Sequence, residues 1–356
     1  MLAWAILPSL TGATRDDDAF HFDQMRIGSD LVKQAALGQF RRQGNEPMSD
    51  KPALLIMQPH LAMLSPILEP DFTVFRLWEA PPIEATSMIQ ALVVAGEFPL
   101  DKALAESLPK LGLIACFTAG YDGVDIAWAR SRGLLVSHSP GVNSEDAADH
   151  AMGLVLAAWR RIVEGDRLVR AGAWKSSEKM ITPSLGGRRL GIVGLGGIGA
   201  AVAERARAFG LKVAWWGPRE KPDAPWPRAA SLHALAEDSD ILVVACRATE
   251  ETRGLIDRAI IEAVGPEGLL VNVSRGQVVD EDALITALKD GLLGQAALDV
   301  FKTEPTPAAR WRGVPNLVLT PHTGGATAAA VPKMVALTRE NLRRFFAGEP
   351  LANPVE

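Results

Sequence analysis

Three ionisable residues in the last quarter of the chain each follow an apolar run: Arg275 after "LLVNVS", Glu304 after "AALDVFKT" and His322 after "LVLTP". An imidazole titrates near neutrality, so it can give or take a proton in either direction of a reaction. A carboxylate on its far ring nitrogen would orient the ring and stabilise its positive charge. A guanidinium can grip a carboxylate with two parallel hydrogen bonds and polarise a neighbouring carbonyl. Together the three suit proton delivery to the carbonyl oxygen of a 2-oxo acid while a hydride arrives at its carbon, a step that calls for no metal. Taken singly, each residue has a plainer reading. Arg275 reads equally as a surface ion-pair partner, Glu304 as the start of a turn before Pro305, and His322 as a satisfied loop histidine.

The hydride needs a carrier, and "RLGIVGLGGIGAAVAERARAFGLKVAWWGPRE" (189–220) has the pattern of a dinucleotide-binding βαβ unit. Gly194 permits a tight turn, Gly196 lets backbone approach a pyrophosphate, and Gly199 lets the helix pack close to the strand. The helix that follows offers unpaired N–H groups and a partial positive charge to phosphates. The flanking strands, "LGIV" and "LKVAWW", give the motif the context a lone glycine pattern lacks. Where an NAD binder carries an acid for the ribose hydroxyls, this chain has Gly217-Pro218-Arg219. A guanidinium there would hold a 2′-phosphate, which favours NADP(H) with Arg219 as the clamp. Glu220, one step further on, is the competing reading and would favour NAD(H).

In a parallel sheet all these strand ends face one edge, and the rest of the sequence supplies such a sheet. From Met48 strand and helix signals alternate, which predicts α/β architecture. Strands are expected at 53–57, 72–78, 91–96, 111–117 and 133–138. A second set is expected near 190–194, 212–216, 241–246, 269–273, 295–299 and 317–320. Between the sets, Asn143 or Ser144 can cap a helix with Glu145 and Asp146 in its first turn. Ala148, Met152, Leu156 and Trp159 then recur at helical spacing, and Gly172 ends the run. The prediction is two Rossmann-like domains with parallel sheets, the second a doubly wound dinucleotide-binding domain, linked by crossing helices. Residues 48–148, completed by a C-terminal helix at 327–356, would form the substrate domain, and 149–326 the dinucleotide domain. Residues 1–47 show no clear period and read as a poorly ordered extension or a start-site artefact.

Composition narrows the function class. The chain has 356 residues, 48% hydrophobic and 22% charged, with a net charge of −5. That is ordinary globular composition with no basic stripe, so nucleic acid is not expected as a partner. No apolar run reaches bilayer-spanning length. The two cysteines, Cys116 and Cys246, lie far apart in apolar stretches without metal-ligand spacing. They read as buried thiols in a reducing compartment, which points to the cytoplasm.

The stretches "FTAGYDGVDI", "SPGVNSEDAADHAMGL", "GLGGIG", "DILVVACRATEETRGLI", "NVSRGQVVDEDAL", "ALDVFKTEP" and "LTPHTGG" resemble the D-isomer-specific 2-hydroxyacid dehydrogenase family. The opening "LLIMQPHLAMLSPILEPDFTVFRLWE" is similar to its branch of hydroxypyruvate, glyoxylate and hydroxyphenylpyruvate reductases. The resemblance implies a substrate domain and a nucleotide domain flanking a cleft, a homodimer formed through the region after the crossing helix, and Arg275, Glu304 and His322 as the catalytic set. It implies that backbone amides at Ala95 and Gly96 bind the substrate carboxylate. Asp299 would meet the nicotinamide carboxamide, and Ile198, Cys246, Thr252 and Val273 would line the cofactor path. The activity implied is reduction of a glyoxylate- or hydroxypyruvate-like 2-oxo acid. The alternatives are an NAD-dependent dehydrogenase working oxidatively and a non-catalytic dinucleotide-sensing dimer. Relatives preferring NADP often carry Ser-Arg-Ser or Arg-Arg at the strand tip, so Pro218 is a departure.

Overall fold

The computed structural model describes residues 51–175, 177 and 179–356, so the extension expected over 1–47 lies outside the described residues. The chain divides into two compact units, one comprising residues up to Ser139 plus Leu337–Glu356, the other Pro140–Ala336.

The first unit is built on five parallel strands, β1 (Ala53–Ile56), β2 (Thr73–Arg76), β3 (Ile89–Val94), β4 (Leu113–Cys116) and β5 (Leu135–Ser137), in the order β2-β1-β3-β4-β5. Strands β1, β3 and β4 are close to continuously apolar and buried, as expected of a parallel sheet covered on both faces. The chain end returns to this sheet. Val355 N donates to Val136 O at 2.8 Å, and His138 N to Asn353 O at 3.2 Å.

The second unit opens with helix α1 (Ser144–Trp159), followed by α2 (Ile162–Arg170). The single helix expected to run to Gly172 is therefore broken, because Arg161 adopts a left-handed conformation with φ 51°. The six parallel strands are β6 (Arg189–Val193), β7 (Lys212–Trp216), β8 (Ile241–Val244), β9 (Leu269–Asn272), β10 (Gln295–Leu298) and β11 (Leu317–Leu319). Their order is β11-β10-β9-β8-β6-β7, with helix α3 (Gly197–Ala208) following β6. Successive strand residues enter opposite cores. Ile192, Val243 and Val271 pack on the α1/α3 side, while Val193, Leu242 and Leu270 pack on the other. Arg205 on α3 pairs with Asp149 at 2.6 Å and Glu145 at 2.8 Å on α1, which pins the two helices together.

The unit boundaries differ from the sequence expectation. The first division falls at Ser139/Pro140 rather than 148/149, because α1 contributes Ala148, Met152 and Val155 to the second unit's core as one continuous face. The second falls inside the closing helix α4 (Ala330–Ala347), at Ala336/Leu337, rather than at 326/327.

Candidate active site

In the second unit β6 has β7 on one side and β8 on the other, so the connections leave it in opposite directions. Open α/β sheets bind ligands outside the carboxyl ends of their strands at such a reversal. The glycine turn begins there. Gly194 has φ +92°, and a Cβ on it would lie 2.5 Å from Cys246 Cα, so neither the conformation nor the space admits a side chain. A Cβ on Gly199 would lie 2.1 Å from Gly194 O, so α3 sits directly on the turn. In front of Gly196, by contrast, nothing lies within 4 Å of a built Cβ. Gly196 also caps α3 without any side-chain cap, leaving the N–H groups of the first turn to an outside acceptor. Open space facing unpaired amides fits a dinucleotide pyrophosphate. Ile198 is half-buried in that first turn, and Cys246 flanks the glycines, its thiol pushed by burial up to about 11 and so neutral at physiological pH.

At the tip of β7 Arg219 is exposed and makes no ion pair or side-chain hydrogen bond among the described residues. Glu220 lies 3.7 Å from Arg228, a residue outside the motif at the strand tip. Thr252 and Val273 take structural places. The Thr252 hydroxyl donates to Arg247 O at 2.9 Å and accepts from Thr249 N at 2.7 Å, closing the loop after β8, while Val273 is buried just beyond β9.

The three ionisable residues follow adjacent strands, β9, β10 and β11. His322 Nδ1 lies 2.6 Å from Glu304 Oε2, and Glu304 Oε1 accepts from Phe301 N at 2.8 Å. A carboxylate only accepts, so Nδ1 carries the proton in this contact. Arg275 is half-buried on a turn fixed by buried Asn272, whose Oδ1 accepts from Ser274 N and whose Nδ2 donates to Arg275 O, both at 3.0 Å. Gly276 then passes so close to the next strand's exit that a Cβ would lie 1.8 Å from Phe301 C. Only glycine allows the Arg275 turn to press against the segment carrying Glu304.

Asp299, which the resemblance sets against the nicotinamide carboxamide, anchors the His322 loop. It is 2% exposed and turned to the His322 loop rather than outward. Its Oδ1 accepts from Thr320 Oγ1 at 2.6 Å and Thr323 N at 2.9 Å, and its Oδ2 from Gly324 N at 2.8 Å. His150 on α1 completes the cluster, with Nε2 2.9 Å from Thr320 Oγ1 and 3.2 Å from Asp299 Oδ1. Since the threonine proton goes to Asp299, His150 Nε2 is the donor to Thr320. His322 N donates to Asp299 O at 2.8 Å, and His322 itself has φ +52°, an uncommon conformation held by this cluster.

The amides of Ala95 and Gly96 differ from expectation. Ala95 N donates to Gln58 Oε1 and Gly96 N to Thr118 Oγ1, each at 2.9 Å. Both are buried and engaged within the first unit, so neither stands ready for a carboxylate.

The model of the D-isomer specific 2-hydroxyacid dehydrogenase NAD-binding domain matches residues 152–324. Hydroxyphenylpyruvate reductase from Plectranthus scutellarioides is 42% identical over 308 residues, covering 85% of this chain and 98% of that protein. The structure of 2-hydroxyacid dehydrogenase from Ketogulonicigenium vulgare Y25 matches with a TM-score of 0.79 at 40% identity, covering 86% of this chain and 99% of that one. NADPH-dependent glyoxylate/hydroxypyruvate reductase from Sinorhizobium meliloti, solved with NADP and malonate, matches with a TM-score of 0.79 at 32% identity, over 86% and 97%. The chain belongs to the D-isomer specific 2-hydroxyacid dehydrogenase family. It is an enzyme of the oxidoreductase class with a nicotinamide-dinucleotide-binding domain. Among the described residues no group of His, Cys, Asp or Glu could hold a metal, and no helix is long and apolar enough to cross a membrane.

Proposed function

We propose that the protein reduces a small 2-oxo acid, of the glyoxylate or hydroxypyruvate kind, to the D-2-hydroxy acid with NADPH as donor. The observation that carries the reading is the 2.6 Å contact between His322 Nδ1 and Glu304 Oε2 beside the strand that presents Arg275. The bound dinucleotide supplies the hydride that reaches the carbonyl carbon. Gly194, Gly196 and Gly199 with the α3 N-terminus would hold its pyrophosphate, and Arg219 its 2′-phosphate. Arg275 takes the substrate carboxylate and draws electron density toward the carbonyl oxygen. His322, protonated on both nitrogens and oriented through Nδ1 by Glu304, delivers the Nε2 proton to that oxygen, so the ketone gains one hydride and one proton. Solvent restores the imidazole proton.

The relatives that carry the substrate proposal are the hydroxyphenylpyruvate and glyoxylate/hydroxypyruvate reductases named above. Substrate specificity is tested by NADPH oxidation against a panel of 2-oxo acids, with glyoxylate and hydroxypyruvate expected to give the highest kcat/KM. A kcat/KM at least tenfold higher with NADH than with NADPH would overturn the cofactor reading. A homodimer in a reducing compartment such as the cytoplasm completes the proposal. It is supported by exposed apolar side chains after α1, at Ile162, Val169, Trp174 and Ile181, which a partner subunit would cover. Light scattering at the mass of a single chain would remove that part.

A further inference from the structure

Pro218 precedes Arg219 at the β7 tip and brings neither a hydroxyl nor a charge, so Arg219 alone would make a thin phosphate site. The structure brings a second guanidinium there from outside the motif. Residues 226–229 run alongside β7 as a short parallel partner: Trp215 N donates to Pro227 O at 3.0 Å, and Ala229 N to Trp215 O at 2.8 Å. This pairing sets Arg228 against the strand tip, where Nη2 and Nε donate to Gly217 O at 2.8 and 3.2 Å. Its guanidinium carbon lies 5.9 Å from the Trp215 ring centroid, a cation–π arrangement that holds the planar group in place. Lys221, between them in sequence, donates from Nζ to Leu195 O, which ties the same tip to the glycine turn.

We infer that Arg228 is a cofactor-discriminating residue: with Arg219 and Lys221 it forms the 2′-phosphate site, where Glu220 is a weak competitor for its guanidinium. The inference rests on the NADPH reading above and deepens it. Glu220 is the acid next to Arg219 that would serve an NAD ribose, and its Oε1 lies 3.7 Å from Arg228 Nη1 with the side chain 82% exposed. An ion pair that loose and wet contributes little by itself. A 2′-phosphate, carrying nearly two negative charges and three acceptor oxygens, displaces it from the same guanidinium. A ribose without the phosphate offers these cations no negative charge to pair with.

The test is calorimetric titration of the full chain with 2′,5′-ADP and with 5′-AMP, which reports the phosphate site without turnover. Wild type is expected to bind 2′,5′-ADP at least about tenfold more tightly than 5′-AMP, the scale of one charge-assisted hydrogen-bond set. Arg228→Gln is expected to lose about tenfold for 2′,5′-ADP and less than twofold for 5′-AMP, while Arg228→Lys keeps most of the preference. Glu220→Gln removes the competitor from an exposed position without disturbing Trp215 packing, and is expected to tighten 2′,5′-ADP about twofold to threefold. A folded Arg228→Gln variant that retains the wild-type preference overturns the inference and leaves the NADPH reading standing. If Arg228→Gln does not fold, Glu220→Gln decides, and unchanged or weaker 2′,5′-ADP binding overturns the inference. Wild type binding 5′-AMP as tightly as 2′,5′-ADP overturns the NADPH reading itself.

Discussion

Glu304 Oε2 sits 2.6 Å from His322 Nδ1, while the other oxygen of the same carboxylate accepts the Phe301 amide at 2.8 Å. The carboxylate is thus fixed by its own loop before it fixes the imidazole. In the proposed reaction, His322→Ala removes the proton donor and lowers kcat for 2-oxo-acid reduction by about 10²–10⁴-fold. Glu304→Gln keeps an acceptor but loses its charge, for a smaller fall of about tenfold. Steady-state kinetics with NADPH and glyoxylate check both, and wild-type rates from His322→Ala would sink the assigned role.

Asp299 is buried and satisfies Thr320 Oγ1 and the amides of Thr323 and Gly324. Asp299→Ala leaves the buried Gly324 amide without its acceptor, at about 1–3 kcal/mol, and frees the half-buried Thr320 hydroxyl and the Thr323 amide, so a clear drop in the urea midpoint is expected. Thr320→Val, which removes one hydroxyl from the cluster, should cost less than Asp299→Ala. Both variants should lose kcat as well as stability, since the same contacts hold the His322 backbone. Unfolding curves at fixed protein concentration, alongside kcat, distinguish this from a purely local effect.

The glycine turn makes a sharper demand. Gly194→Ala combines φ +92° with a Cβ 2.5 Å from Cys246 Cα, where backbone must move. The variant is expected to be destabilised by about 1–3 kcal/mol and, under the proposed cofactor use, to lack the thermal stabilisation by NADPH expected of wild type. Differential scanning fluorimetry with and without NADPH reads both. A variant with a wild-type melting temperature and full response to NADPH would contradict the observed packing.

Both thiols are poor nucleophiles in the folded protein. Burial pushes Cys116 up to about 12 and Cys246 up to about 11. A raised thiol value means that the reactive thiolate is scarce below it and accumulates only as pH approaches it. Labelling with a thiol reagent at pH 8 should therefore be slow for native protein and rapid after denaturation, with Cys246 responding first as pH rises toward 10. Fast stoichiometric labelling of the native state at pH 8 would contradict this.

The sequence revealed much of the frame because its signals are local. The β6–α3–β7 unit is written in contiguous residues, and the strands of both sheets lie within a few residues of their expected places. What stayed hidden depends on partners distant in the chain. Gln58 and Thr118, which occupy the Ala95 and Gly96 amides, come from 37 and 22 residues away. His150 on α1 reaches Thr320 across 170 residues. Arg228 is invisible until residues 226–229 are seen paired to β7. The break at Arg161 was illegible for a different reason, since no glycine or proline marks a left-handed arginine.

The cluster around Asp299 has a consequence for speed as well as for shape. A loop with a left-handed histidine would otherwise wander among backbone states, and each encounter with substrate would have to recapture the right one. Here the disorder has been removed during folding. In the proposed reaction the imidazole waits in its working pose, so its ordering adds little to the activation entropy of each catalytic cycle.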